Sequence, residues 1–207
     1  MKRAIWYFDF VSPFAYICLH RMKELPFDLA IEYRPVLFAG ILNHWGQRGP
    51  AELPTKRRYT YRWSHWWAKH LGIPMRFPAA HPFNPLHHLR LAIACGSKPE
   101  AIEVIFDEVW TTGADASDAA RFAALSKKLG IAEIGQEAKD QLRKNTEEAV
   151  QRGVFGVPTF EVDGELFWGA DSMEFLRAFL ADPATLRNAE MLRLDGLPVA
   201  AVRRTNG

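Results

Sequence analysis

The chain is poor in cysteine and has no excess of either charge. Its 207 residues include only Cys18 and Cys95, which lie far apart in the sequence. This spacing indicates no disulfide scaffold, and a reducing cytoplasm is the expected compartment. Lys and Arg number 26 against 24 Asp and Glu, and a net charge of +2 is too balanced to indicate nucleic-acid binding.

Long apolar runs are also absent. The first one, residues 4–11, is interrupted by Asp9 and is far shorter than the ~20 residues that a membrane span needs. Lys2 and Arg3 ahead of it imitate the start of a signal peptide. However, the run has no small-residue cleavage site and continues into a segment with the features of an active site. These residues are therefore expected in the mature protein, with no membrane partner.

Apolar periodicity and turn residues divide the chain into a strand–helix–strand unit, a long helical stretch and a strand–strand–helix unit. The predicted strands are 4–11, 29–36, 157–162 and 165–168, and the predicted helices are 14–25, 59–71, 86–95, 99–111, 118–129, 135–152 and 172–181. The first two strands should be parallel. Residues 40–58 are expected to form a loop with short helical pieces, and the tail that ends in Arg203-Arg204 is expected to be solvated.

This order predicts an α/β fold on the thioredoxin plan, with an all-helical subdomain inserted into it. The expected boundaries are 1–40 plus 153–185 for the thioredoxin-like domain, 41–152 for the insertion and 186–207 for a C-terminal tail.

The segment Ser12-Pro13-Phe14-Ala15 follows the first strand and starts a helix. Serine is a preferred N-cap residue, and proline fits the first helical position. A helix N-terminus offers unpaired N–H groups and about half a positive charge. Disulfide oxidoreductases of this layout carry Cys-x-x-Cys here, whereas this chain has Ser12 and Ala15. The redox chemistry is therefore lost, and a reactive sulfur has to come from a ligand.

Three motifs, in this order, carry a family resemblance: Ser12-Pro13-Phe14-Ala15-Tyr16 after Phe8-Asp9-Phe10, the segment Gly153 to Phe160, and Phe167-Trp168-Gly169-Ala170-Asp171. They resemble the 2-hydroxychromene-2-carboxylate isomerases and the related kappa-class glutathione transferases, of the DsbA-like branch of the thioredoxin fold. The resemblance covers roughly residues 4–181. It implies glutathione as cofactor, a small aromatic acid as substrate and, by analogy, a homodimer.

The resemblance also implies roles for individual residues. Ser12 matches the serine whose hydroxyl faces the glutathione sulfur. Val157, before a Pro158 that is cis in this frame, matches the residue whose backbone pairs with the cysteinyl unit. Asp171, with Ala170 and Ser172, matches the turn that holds the γ-glutamyl end.

Outside these motifs, Lys56 resembles a lysine near the glycyl carboxylate in the kappa transferases, and Gln47 stands where they carry an asparagine. Asn84 lies where the insertion of the family approaches the substrate, and a turn-forming role is equally compatible with its neighbours. Ser172 departs from the arginine that often follows the aspartate. No match is found to the polar pair that grips the aromatic acid, so the glutathione half of the site matches better.

The sequence is compatible with three functions. The first is a glutathione-dependent isomerase of 2-hydroxychromene-2-carboxylate or a similar intermediate of aromatic degradation, with a thiolate stabilised by Ser12. The second is a kappa-like glutathione transferase, in which the sulfur stays attached to its electrophile. The third is a non-catalytic binding protein that keeps the peptide groove. A dithiol oxidoreductase is disfavoured, since Ala15 cannot close a disulfide.

Other chemistry-bearing residues have structural interpretations. Lys56 belongs to a charge run, Lys56-Arg57-Arg58, of the kind that is usually solvated. The spacing of His81, His87 and His88 is not that of a zinc site. Cys18 is expected to be a small core residue. Most of one aromatic helix face is expected to pack inside the protein, with one or two rings lining a substrate pocket: Tyr59, Trp63, Trp66, Trp67 and His70.

Overall fold

A four-stranded mixed sheet forms the centre of the fold, which a computed structural model describes for residues 2–201. β1 (Arg3–Phe8) pairs in parallel with β2 (Ala30–Pro35) and antiparallel with β3 (Thr159–Val162). β4 (Glu165–Trp168) pairs antiparallel with β3, giving the order β2-β1-β3-β4. The predicted parallel unit and C-terminal hairpin are confirmed.

Between β2 and β3 the described chain contains only helices and turns, so the predicted thioredoxin-like α/β fold with a helical insertion is confirmed. The helices of residues 2–201 are α1 (Pro13–Arg21), α2 (Phe38–His44), α3 (Pro54–His70), α4 (Leu86–Ala94), α5 (Pro99–Trp110), α6 (Ala119–Lys128), α7 (Gln136–Gln151), α8 (Met173–Ala181) and α9 (Ala189–Asp195). None of them combines the length and the apolar composition needed to cross a membrane. The domain boundaries remain a prediction.

Two regions expected to be irregular contain more helix than predicted. α2 and the first turns of α3 occupy most of residues 40–58, because Pro54 serves as the first helical residue, where its missing N–H leaves no bond unmade. In the tail, the Asn188 side chain accepts the N–H groups of Glu190 and Met191 and so caps α9. Arg203 and Arg204 lie outside the described residues.

The two faces of β1 bury different sets of side chains. Trp6 and Phe8 are fully buried on the face shared with α1, α5 and α8. Tyr7 is buried on the opposite face, together with Val36 and Val157. Successive side chains of a strand point to opposite faces, so a strand that is covered on both faces has a continuous apolar sequence. The end of β1, from which the candidate site starts, is thereby held from both sides.

Most of the aromatic face of α3 lies outside the core, which corrects the expectation that it packs inside. The buried residues of α3 are Ser64 and Ala68, whose small side chains let the helix backbone lie close to the protein interior. Trp67 reaches α1, where its ring packs against Phe14. The other rings face solvent to varying extents, with exposures of 69% for Tyr59, 54% for Trp66 and 38% for Trp63.

Candidate functional site

Ser12 caps α1 at the point where the first strand ends. Its Oγ accepts the Ala15 N–H at 3.2 Å. Among the described residues, no acceptor takes the Ser12 hydroxyl proton or the Phe14 N–H. Ser12 is only 6% exposed, so its hydroxyl lies in a largely dry position at the positive end of a helix. The geometry suits a hydrogen bond to an anion.

Asp9 is fully buried and connects the loop before Ser12 to the start of α2. Its Oδ1 accepts the Val11 N–H at 3.0 Å and its Oδ2 accepts the Phe38 N–H at 2.9 Å. Burial raises the pKa of Asp9 to about 7, although both backbone hydrogen bonds act in the opposite direction. We did not predict this role, yet a carboxylate inside an apolar strand is the sequence signal that could have found it.

The Val157–Pro158 peptide bond is cis. Pro158 precedes Thr159, which pairs with Tyr7 near the end of β1, so Val157 lies just beyond the paired end of β3. Val157 is 7% exposed, and neither its N–H nor its C=O makes a hydrogen bond within the described residues. It is therefore a free backbone edge, which a peptide-like ligand could pair with.

The turn Gly169–Ser172 is bonded to this proline. The Gly169 N–H donates to the Pro158 carbonyl at 2.8 Å. Gly169 has φ +94°, and a Cβ there would collide with Asp171 Oδ1, so the turn requires glycine. Asp171 is exposed and Ala170 is buried. Ser172 uses both its N–H and its hydroxyl to bond the Gly169 carbonyl, so its expected ligand contact has to come from the oxygen lone pairs.

Three residues predicted for the site are not joined to it by side-chain bonds. Gln47 and Lys56 are exposed, Gln47 after α2 and Lys56 in the first turn of α3. No hydrogen bond or ion pair within residues 2–201 links either side chain to Ser12. Asn84 is exposed and its Oδ1 accepts the Leu86 N–H at 3.1 Å, which is the turn-forming alternative. Ligand contacts of all three stay predictions.

The three histidines lie in different surroundings. His81, before a second cis peptide bond, contacts the Val11 carbonyl. His87 is exposed, whereas His88 is buried near Phe10, and its burial lowers its pKa to about 4. In the described part of the chain, no three His, Cys, Asp or Glu side chains are grouped as a metal site would need.

Both cysteines are free thiols, and neither is poised to react. Cys18 is fully buried in the core, as predicted, and burial raises the pKa of its thiol to about 12. Burial also raises the pKa of Cys95. Since the thiolate is the nucleophilic form, the protein holds no activated sulfur of its own.

Comparison with known proteins gives a consistent result. Residues 4–181 match the family model of the DSBA-like thioredoxin domain. A 2-hydroxychromene-2-carboxylate isomerase of Pseudomonas putida is 31% identical over 190 residues, covering 84% of this chain and 91% of the relative. Human glutathione S-transferase kappa 1 is 28% identical over 203 residues, covering 85% and 89%.

A solved structure of a 2-hydroxychromene-2-carboxylate isomerase is also similar. Its TM-score is 0.74 at 26% sequence identity, and the match covers 91% of this chain and 98% of that structure. The similarity therefore extends over both the sheet and the helical stretch.

Proposed function

Since the chain belongs to the DsbA-like thioredoxin family, among the 2-hydroxychromene-2-carboxylate isomerases and kappa-class transferases, we propose that it is a glutathione-dependent isomerase. Its proposed substrate is 2-hydroxychromene-2-carboxylate or a similar aromatic acid. The supporting observation is the Ser12 hydroxyl, which caps α1 with its proton uncommitted. A homodimer and a cytoplasmic location belong to the same proposal.

The residues present fit glutathione. The unpaired N–H and C=O of Val157, beside the cis Pro158, offer the backbone partners that a cysteinyl residue needs. Asp171, in its turn with Ala170 and Ser172, would hold the γ-glutamyl end. Lys56 and Gln47 are the proposed partners of the glycyl end, because both side chains are exposed and free to reach it.

When bound, glutathione supplies a thiolate that adds to an unsaturated carbon and later leaves. An ordinary thiol has a pKa of about 8.5, and lowering it by about two units takes roughly 2.7 kcal/mol. The N-terminus of α1 contributes about 0.3–1 kcal/mol, and up to about 2 where it is partly buried. A hydrogen bond from Ser12 to a charged sulfur contributes about 1.5–3 kcal/mol. Together these suffice, so Ser12 needs to act neither as a nucleophile nor as a base.

The transferase is the second candidate, favoured by the similarity to human kappa transferase over 85% of this chain. The two activities differ in the fate of glutathione, which an isomerase regenerates and a transferase consumes. Assaying hydroxychromene carboxylate isomerisation beside conjugation of a generic electrophile separates them. Stoichiometric loss of glutathione with no isomerisation would favour the transferase.

Calorimetry with glutathione is the first test. A ligand that binds only the folded state at 100 times its Kd stabilises it by about 2.7 kcal/mol, so saturable binding and a raised Tm are expected. Absence of both at millimolar glutathione would contradict the two enzyme functions and favour a non-catalytic binding protein.

The second test is Ser12→Ala, for which kcat should fall about 10- to 100-fold, since the variant loses one hydrogen bond to a charged sulfur. The thiolate absorbance of bound glutathione should also appear only at a higher pH in Ser12→Ala than in wild type. Ser117→Ala is the matched control, because Ser117 is exposed in a turn and its hydroxyl makes no hydrogen bond within the described residues. Full activity in Ser12→Ala would refute the role of Ser12.

A further inference from the structure

His81 has no part in the chemistry above, yet it touches the residue immediately before Ser12. Its Nε2 lies 2.7 Å from the Val11 carbonyl oxygen. A carbonyl can only accept, so Nε2 carries the proton of this hydrogen bond. His81 comes from the loop between α3 and α4, so the bond joins the helical stretch to the start of α1.

The imidazole ring is itself held in place. The Tyr61 hydroxyl of α3 lies 2.6 Å from His81 Nδ1 and 2.7 Å from the His81 carbonyl oxygen. The rings of Phe77 and Trp110 have their centroids 5.7 and 5.5 Å from that of the imidazole. Burial lowers the pKa of His81, which leaves the ring neutral at neutral pH. With its proton on Nε2, Nδ1 can only accept, so the single Tyr61 hydroxyl proton is donated to Nδ1 and the carbonyl is a close neighbour of that hydroxyl. The ring is therefore a fixed donor.

Val11 is bonded at both of its backbone polar groups. Asp9 takes its N–H at 3.0 Å and His81 donates to its C=O at 2.7 Å. The Val11–Ser12 peptide is itself held at both ends: its N–H, that of Ser12, donates to the Asp9 backbone carbonyl at 3.1 Å, and its C=O accepts from His81 of the helical stretch. The position of the Ser12 Cα, and hence of its hydroxyl, depends on this peptide.

We propose that His81 is a positioning residue for Ser12, which it orients by holding the Val11 carbonyl, with Tyr61 fixing the imidazole ring. The inference rests on the proposed function for its catalytic consequence. The hydrogen bond itself does not depend on that function and can be measured without glutathione.

The experiment compares His81→Leu, which removes the donor, with His81→Gln, whose side-chain amide can still donate. His65→Leu is the control, since His65 is exposed on α3. For His81→Leu we expect kcat to fall about 10- to 100-fold, the cost of misplacing a catalytic group by up to about 1 Å. KM for glutathione should change little, because the Val157 edge and the Asp171 turn are intact. His81→Gln should recover most of kcat, and His65→Leu should match wild type.

The second readout uses cofactor-free wild-type protein. Nitrogen NMR of the His81 ring should show the tautomer protonated on Nε2, with a hydrogen bond to a carbonyl. The opposite tautomer, or a ring that tumbles freely, would overturn the proposal. So would full kcat in His81→Leu, or an equal loss of kcat in His81→Gln.

The test still gives a clear result in two less favourable cases. If His81→Leu does not fold, Tyr61→Phe replaces it: the aromatic packing is kept, the ring loses its hydroxyl partner, and a kcat equal to wild type would overturn the proposal. If wild-type protein neither binds glutathione nor isomerises substrate, the proposed function fails, while the NMR measurement still decides whether His81 holds Val11.

Discussion

The Asp9 carboxylate receives two backbone N–H groups at a position that is fully buried. Two opposing effects meet there. Burial disfavours the charged form, whereas the two hydrogen bonds favour it, and burial prevails, because the pKa is raised to about 7. An acidic residue is used here to arrange the loop before Ser12 rather than to react.

The raised pKa predicts a pH-dependent stability. Between the unfolded pKa of about 3.9 and the folded value, the native state keeps a proton that the unfolded state has lost. The free energy of unfolding should therefore fall as pH rises from about 4 to about 7, by up to about 4 kcal/mol. Urea unfolding at several pH values measures this. Asp9→Asn should flatten the profile, and the exposed control Asp28→Asn should not. An Asp9→Asn profile as steep as wild type would contradict the assignment.

At the scale of elements, the turn after β4 and the cis-proline segment act together. The Gly169 N–H bond to the Pro158 carbonyl joins the end of the hairpin to the free Val157 edge. A glycine with positive φ allows the exposed Asp171 carboxylate to lie directly over the turn.

Gly169→Ala should therefore harm both stability and binding. With φ +94° and ψ +151°, Gly169 lies in a region that is almost restricted to glycine, where a residue with a Cβ costs about 1–3 kcal/mol, and the new Cβ would also displace the Asp171 side chain. Gly164→Ala is a matched control, because its φ is +86° but nothing lies within 4 Å of its Cβ. Both variants should lower Tm, and only Gly169→Ala should weaken glutathione binding, by roughly tenfold. Equal affinity in the two variants would refute the role of the turn.

At the scale of the whole molecule, a thioredoxin-like frame holds no reactive thiol. Cys18 is buried with a pKa raised to about 12, and Ser12 and Ala15 occupy the positions of a redox pair. In the proposed function, the frame presents a backbone edge, a hydroxyl and a helix N-terminus to the sulfur of glutathione.

Wild-type protein should accordingly fail to reduce insulin disulfides. The double variant Ser12→Cys/Ala15→Cys restores the Cys-x-x-Cys spacing and is expected to form an intramolecular disulfide, detectable by thiol titration. Ser12→Cys alone should keep its free thiol. Disulfide reduction by the wild-type chain at a rate comparable to the double variant would contradict the loss of redox function.

The sequence alone was sufficient for the order of the sheet elements and for most of the helices, but not for α2 and α9. Alternation and apolar runs are local properties, so β1, the parallel β2, the hairpin and helices α4 to α8 were predicted within a few residues. The motifs around Ser12, Val157 and Asp171 were also recognisable, because cap, turn and proline chemistry depends on neighbouring residues. The aromatic face of α3 was misjudged, since periodicity defines a face but not which side meets the core.

Only the tertiary structure decided the contacts between residues that are distant in sequence. Residue type could not show that Asp9 would bond the Phe38 N–H, or that His81 would donate to the Val11 carbonyl across 70 positions. Such bonds depend on how strands and helices pack, and packing sums many weak contacts along the whole chain. The sequence thus determined a candidate site without cysteine at a helix start, and the fold determined which residues hold that candidate site in position.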